Sequence, residues 1–281
     1  MSFELVHLSD LHFGNPRAHL TGNQVSKALD TIFSQVSEKN AFLIISGDVT
    51  LQGRAEGYEE AFDVISAAVE RHGIPRSNVL ACPGNHDIVI EQPGKRHFSS
   101  FDAWSSRIRA DTQCTFAGSS VRLVQHQSAD FLLLNTAYHL DHTKGLADLR
   151  EAERLLKILA PKPRESENRP RIAIAHHHMI PVSEDDTSTT RNAYGLLSLL
   201  EKYNFSALLH GHQHAMQNLF IGDKKMRISG IGSFGFLTAG FMNTAAIYRG
   251  NQGIIETIEY LGLTLDTDSG VVSISPTTAK V

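Results

Sequence analysis

Side chains able to hold a metal ion recur at five places along this chain: Asp10 and His12, Asp48, Asn85 beside His86, the triplet His176, His177 and His178, and His212 with His214. Carboxylate and amide oxygens combined with imidazole nitrogens suit Zn, Mn or Fe(II)/Fe(III) better than a thiol-seeking metal. The chain holds 15 histidines against two cysteines, which points the same way. In Asp10-Leu11-His12 and His212-Gln213-His214, an extended chain of period two would aim both functional side chains to one side. Gly47, Gly84 and Gly211 stand just before these residues, where a side chain would obstruct a tight strand-to-loop turn. A single Asp-x-His or Gly-Asp is common turn or cap chemistry. The joint occurrence, each motif ending a strand-like segment, is what points to one shared metal site. Three adjacent histidines cannot all face one ion, so His177 or His178 is expected to face solvent in part.

Bringing such distant residues together requires a sheet whose strand ends converge. Apolar runs at 3–8 and 41–45 read as buried strands. Between them Val25, Ala28, Leu29, Ile32, Phe33 and Val36 follow helical spacing, and Tyr58, Ala61, Phe62, Ile65 and Val69 form a second helical stripe before a strand at 78–81. Further strands are expected at 131–135, 172–175 and 207–209, and helices at 147–159 and around 196–203. The polar stretch 183–191 reads as a loop, and prolines in 161–170 close the helix before it. After residue 214 the pattern turns to β, with strands at 219–221 and 226–228 around a hairpin-like turn, then at 245–248, 253–260 and 270–274. The length suits one layered α/β domain over 1–281, with 88–130 an excursion carrying a helix near 98–108 and 215–281 a β-rich part of the same domain. Open α/β sheets gather ligands outside the carboxyl ends of their strands.

Composition narrows the function. Hydrophobic residues make up 41% and charged residues 20% of the chain, enough for a packed core and too little charge for disorder. A net charge of −4 excludes a global positive field drawing the protein to nucleic acid or anionic membrane. Lys95-Arg96 and Lys224-Lys225 are the only adjacent basic pairs, and isolated pairs are usually solvated turns. Cys82 and Cys114 lack metal or disulfide spacing and read as free thiols. The start MSFELVHLSD lacks the features of a signal peptide, and no apolar run reaches ~18 residues, so a cytoplasmic location without membrane contact is expected. Outside the five places, His7, His19, His72, His97, His126, His139 and His142 read as surface or core-edge residues, and Phe234, Phe236 and Phe241 as core or wall.

The strings HLSDLHFG, SGDVTLQG, CPGNHD, IAIAHHH and LLHGHQH resemble, in order and spacing, the signature of the calcineurin-like metallophosphoesterase superfamily over about residues 3–214. The resemblance implies a four-layer α/β/β/α sandwich, two mixed β-sheets flanked by helices, with a dinuclear metal site at the sheet edge and the β-rich remainder forming the second sheet. It implies two divalent or trivalent transition-metal ions, Mn, Fe or Zn. Asp10, His12 and His214 would bind one, Asn85, His176 and His212 the other, and Asp48 would bridge them. Many relatives carry His-His-Pro where this chain has His176-His177-His178-Met179; His176, first past the strand, is favoured as the ligand, with His177 the alternative. Two ions about 3.5–4 Å apart can hold a bridging hydroxide that attacks phosphorus. His86 resembles the catalytic histidine, either protonating the leaving oxygen or stabilising charge, with Asp87 or another carboxylate orienting it.

Within the superfamily, HLSDLHFG and SGDVTLQGRAEGY are similar to the bacterial cyclic-nucleotide phosphodiesterase branch. GDVTLQGR lacks the Asp of the Asp-Arg-Gly that follows this motif in protein serine/threonine phosphatases, and the tail is short for the capping region of the nuclease branch. The expected activity is hydrolysis of a small-molecule phosphodiester, cyclic or linear nucleotides included. A Mn-dependent nuclease and a phosphomonoesterase are the alternatives, with nucleic acid not favoured as a partner. A non-catalytic scaffold would be expected to have lost ligands that this sequence keeps.

Overall fold

The computed structural model describes residues 2–17, 20–37, 41–92, 95–139, 143–159, 169–223, 225–236, 243–266 and 268–277. Two βαβ units open the chain: β1 (Ser2–Leu8), α1 (Gly22–Phe33), β2 (Phe42–Ile45), α2 (Ala55–Arg71) and β3 (Val79–Ala81), with the three strands paired in parallel. α1 begins at a capping box in which the Thr21 hydroxyl accepts from the Gln24 N–H and the Gln24 side chain accepts from the Thr21 N–H. Its buried face is Val25, Ala28, Leu29, Ile32 and Phe33, the stripe expected from spacing. β4 (Val89–Gln92), β5 (Lys95–His97) and α3 (Ser99–Arg109) follow.

The second half runs β6 (Val121–Gln125), β7 (Asp130–Leu134), α4 (Leu149–Leu156), β8 (Arg171–Ala175), α5 (Ala193–Lys202), β9 (Ala207–His210), β10 (Gln217–Ile221), β11 (Met226–Gly230), β12 (Asn243–Asn251), β13 (Ile254–Leu265) and β14 (Val272–Thr277). Among the described residues these build two six-stranded mixed sheets, in the orders β14-β13-β12-β1-β2-β3 and β10-β11-β9-β8-β7-β6. No helix among them is long and apolar enough to cross a membrane.

The period-two alternation of the second sheet sorts its side chains between two cores. Phe131 and Leu133 of β7, Ile172 and Ile174 of β8, and Ala207 and Leu209 of β9 face the interior shared with β1, β2 and β3. Leu132 and Leu134, Ala173 and Ala175, and Leu208 instead pack with Ala152 and Leu156 of α4 and Leu196 and Leu200 of α5. That sorting makes the four-layer α/β/β/α sandwich, and each buried Leu, Ile or Phe contributes about 1.5–3 kcal/mol to it.

Two expectations are corrected. The tract 88–130 carries a regular strand, β6, which pairs antiparallel with β7 and closes that sheet's edge. The β-rich remainder is divided between the sheets. β10 and β11 extend the second, whereas β12 pairs antiparallel with β1 and leads β13 and β14 onto the first sheet. β1 has β2 on one side only, so β12 satisfies the backbone groups its other edge would leave unpaired. The proline-rich stretch falls largely outside the described residues.

Candidate metal centre

Beyond the ends of β1 and β2 the two segments stay zipped together: Asp10 N–H donates to the Gly47 carbonyl at 3.1 Å, His12 N–H to the Asp48 carbonyl at 3.0 Å and Phe13 N–H to the Val49 carbonyl at 2.9 Å. Within this ladder Asp10 (φ 56°), His12 (φ 51°) and Asp48 (φ 53°) adopt left-handed backbone, as do His212 (φ 75°) and His214 (φ 51°) across the cleft. The extended two-pronged clamp expected from sequence is therefore corrected. Alternate residues are held in a strained conformation, which Asp and His tolerate better than branched side chains and which clusters at functional sites. The glycines permit the close approach. A Cβ on Gly84 would come within 2.6 Å of the Asp48 nitrogen, and one on Gly211 within 2.5 Å of Asp10 Oδ2.

Two groups of ligand-type atoms result, Asp10 with His12 and His214, and Asp48 with His176 and His212, the atoms within each lying inside 4.8 Å of one another. In the first, His214 Nε2 is 3.2 Å and His12 Nε2 3.9 Å from Asp10 Oδ1. In the second, His176 Nε2 is 3.3 Å from Asp48 Oδ2, 2.9 Å from Asn85 Oδ1 and 3.1 Å from His212 Nδ1. Asp48 belongs to both neighbourhoods, because the same Oδ2 lies 4.0 Å from His12 Nε2. Its other oxygen accepts the His86 N–H at 2.8 Å.

The donor set fits a cation. The Ser46 carbonyl accepts the Nδ1–H of His176 at 2.8 Å, which aims Nε2 into the centre. One hydrogen there cannot serve Asp48, Asn85 and His212 together, whereas a positive ion can be shared among all of them. Electrostatics agree. Burial opposes ionisation of Asp10 and Asp48, yet His214 beside the first and His176 beside the second hold both carboxyls below the ordinary range. Burial depresses His12 to about 4 and His212 to about 3, so both offer neutral nitrogens. Burial also opposes charge on His176, but Asp48 raises it to about 9. Two buried carboxylates thus demand cationic charge between them, and a metal would compete with that proton.

Surrounding residues fix these positions. His86 is half-buried, its ring edge-on to His12 at 5.2 Å between centroids. Asp87 does not orient it. The Asp87 carboxylate accepts instead from Gly84 N–H at 2.9 Å, Val49 N–H at 3.1 Å, Thr50 N–H at 3.3 Å and the Tyr58 hydroxyl at 2.7 Å, tying the β3 loop to the β2 loop. Burial and then the charge of Asp48 push this carboxyl up to about 6.

The triplet faces inward throughout: His176, His177 and His178 are all 0% exposed, so neither of the last two faces solvent as expected. His177 Nδ1 meets the Thr136 hydroxyl at 2.8 Å, and His178 Nε2 meets Asp186 Oδ2 at 2.6 Å. Loop 183–191 is thereby pinned beside the centre. His7 is no core-edge residue either. It is buried between the sheets, with Nε2 2.8 Å from the Ser46 hydroxyl and Nδ1 3.4 Å from the Tyr248 hydroxyl, directly behind the carbonyl that orients His176. His7, Ser46 and Thr136 were not foreseen as supports; the available signal was a His inside the first core strand and a Ser just past the end of the second. His72, His97, His126 and His139 belong to neither group. Phe234 is core and Phe236 is a wall, edge-on to His12 and His214. His19, His142 and Phe241 lie outside the described residues.

The same fold recurs among known proteins. A dimetal phosphatase from Danio rerio superposes with a TM-score of 0.64 over 92% of this chain and 95% of its own, at 12% identity. A 5'-nucleotidase-like protein from Staphylococcus aureus does so at 0.50 over 98% of this chain and 53% of its own, also at 12% identity. In sequence, the glycerophosphodiester phosphodiesterase GpdQ of Enterobacter lignolyticus is 25% identical over 220 residues, 75% of this chain and 70% of that protein. The model of the calcineurin-like phosphoesterase family matches residues 3–216, a span that runs from β1 to just past His214 and takes in both ligand groups and His86. With the motifs, the two-sheet sandwich and the family match in agreement, the chain belongs to the calcineurin-like phosphoesterase family.

Proposed function

We propose that this protein is a metal-dependent phosphodiesterase that cleaves a small-molecule phosphodiester, with residues 1–281 acting as one unit. Asp10, His12 and His214 would hold one transition-metal ion, Asn85, His176 and His212 a second, and Asp48 both; Mn, Fe and Zn suit this mixture of oxygen and imidazole donors. Two such ions supply Lewis acidity, making water acidic enough to attack at neutral pH and offsetting negative charge on the phosphoryl oxygens. The observation that carries the proposal is the single oxygen Asp48 Oδ2, which faces His12 at 4.0 Å and His176 at 3.3 Å.

The remaining chemistry falls to the chain itself. His86 is held by its backbone N–H on Asp48, which leaves its imidazole at the cavity wall, where it lines the space with His12 and His214. From there it would donate a proton to the departing alkoxide. Ser46 fixes the tautomer of His176, and Asp87 keeps the two motif loops in register. The diesterase named among the relatives supports a diester over a monoester. Buried free thiols at Cys82 and Cys114 support a reducing, cytoplasmic location.

The test is a hydrolysis panel of a phosphomonoester, linear diesters, a cyclic nucleotide and duplex DNA, each with Mn and with chelator. Turnover of small diesters, abolished by chelator and with duplex DNA uncut, is expected. Cleavage of duplex DNA that falls steeply with salt would replace the proposal with a nuclease.

A further inference from the structure

The cavity in front of the two ligand groups has a second end. His12, His86 and His214 line one side, while Arg17 and Arg54 line another, with Leu51 and Phe236 among the apolar walls, and its volume is about 410 Å³. That is within the size range of small-ligand sites. Among the described residues no Asp or Glu lines it.

Many other arginines of this chain of net charge −4 have their guanidinium engaged, Arg71, Arg107, Arg154 and Arg249 by carboxylates and Arg76 and Arg171 by backbone carbonyls. Among the described residues Arg17 and Arg54 enter no such pair, and Arg54 reaches only the side-chain oxygen of Gln52 at 3.5 Å. Both are exposed at the cavity rim. Arg17 lies in the loop between β1 and α1, and Arg54 ends the loop between β2 and α2, so the loops that carry Asp10, His12 and Asp48 also set where they stand. The phosphate undergoing reaction has the metal ligands and His86 at the inner end, and needs neither arginine.

We propose that Arg17 and Arg54 form an anion subsite for a second negative group, a carboxylate or phosphate, carried on the arm of the substrate away from the scissile bond. The proposal rests on the phosphodiesterase assignment and deepens it: the preferred substrate is a diester with two anionic centres. A guanidinium presents a planar fork of N–H donors that matches either anion, and the charge-assisted bonds so formed are stronger than neutral ones.

The experiment uses metal-reconstituted protein and isothermal titration with two probes of equal chain length, propylphosphonate with one anionic group and 3-phosphonopropionate with two. Wild-type protein is expected to bind the second about tenfold more tightly, the contacts being partly screened by solvent. In the double variant Arg17→Gln with Arg54→Gln the ratio should fall toward one, and in the corresponding Lys variant it should recover in part. A ratio near one in wild type, or a ratio unchanged by the Gln substitutions, overturns the subsite. A kinetic arm compares propyl p-nitrophenyl phosphate with its 2-carboxyethyl counterpart, where the carboxylate should lower KM in wild type and lose that advantage in the Gln variant. Absence of turnover with both diesters would defeat the phosphodiesterase assignment alone, because the phosphonate ratio is read by binding without chemistry.

Discussion

Replacing His86 by Ala removes an imidazole while leaving intact the backbone contacts that organise the loop around it. The His86 N–H bonded to Asp48 Oδ1 at 2.8 Å and the His86 carbonyl accepting Gly53 N–H at 2.8 Å both survive the substitution. The ring is half-buried, so its loss leaves an indentation open to solvent rather than a sealed void. Metal content should therefore stay at the wild-type value. Turnover should not. General acid catalysis contributes about 10²–10⁴-fold, or roughly 2.7–5.5 kcal/mol of barrier at 1.36 kcal/mol per factor of ten.

The loss should also depend on the leaving group. With bis-p-nitrophenyl phosphate the departing phenolate is stable without a proton, and the variant should lose less than about tenfold. With an alkyl glycerophosphodiester, whose alkoxide must be protonated, it should lose the full range. The assay is kcat for both substrates alongside elemental analysis of the same samples. Equal losses on both substrates would remove the proton-donor role, and metal lost in step with activity would make His86 a ligand.

Four further substitutions test the site's construction. His176→Ala should cost metal and activity together, since its Nε2 meets Asp48, Asn85 and His212. His177→Ala should keep both ions, its Nδ1 being engaged with Thr136, and the opposite outcome by elemental analysis would move the ligand by one residue. Asp87→Asn turns part of a four-donor acceptor into a donor facing other donors. It should destabilise by about 1–3 kcal/mol, seen as a melting point lower by roughly 2–5 °C for a chain of this size. Tyr58→Phe deletes one hydrogen bond and should cost about 1 kcal/mol; an unchanged melting point for Asp87→Asn would refute the loop-tying role.

The candidate residues were legible because metal-ligating chemistry restricts the residue types that could serve: Asp10, His12, Asp48, His176, His212 and His214 are the six groups the structure gathers, with Asn85 beside His176. The first core was legible for a similar reason, since α1 and α2 bury stripes that any helical projection reveals. What escaped were features set by long-range pairing. The five-residue strand β6 exists because β7 offers an edge, and β12 joins β1 for the same reason; neither is encoded in its local pattern. The left-handed backbone at Asp10 and His12 comes from the ladder to Gly47 and Asp48, which no spacing argument contains. His7, His177 and His178 looked like surface residues because histidine usually is one; here hydroxyl and carboxylate partners from Ser46, Thr136 and Asp186 make their burial tolerable.

The central claim is that one chain holds two metal ions joined by Asp48. It is tested most directly by elemental analysis of protein reconstituted separately with Mn, Fe and Zn and freed of excess ion, with Asp48→Asn measured alongside. Two ions per chain in the native protein are expected, with occupancy of both positions falling in the variant because a neutral amide is a poor partner for two cations. One ion or none in the native protein under every loading, or full occupancy retained by Asp48→Asn, would contradict it.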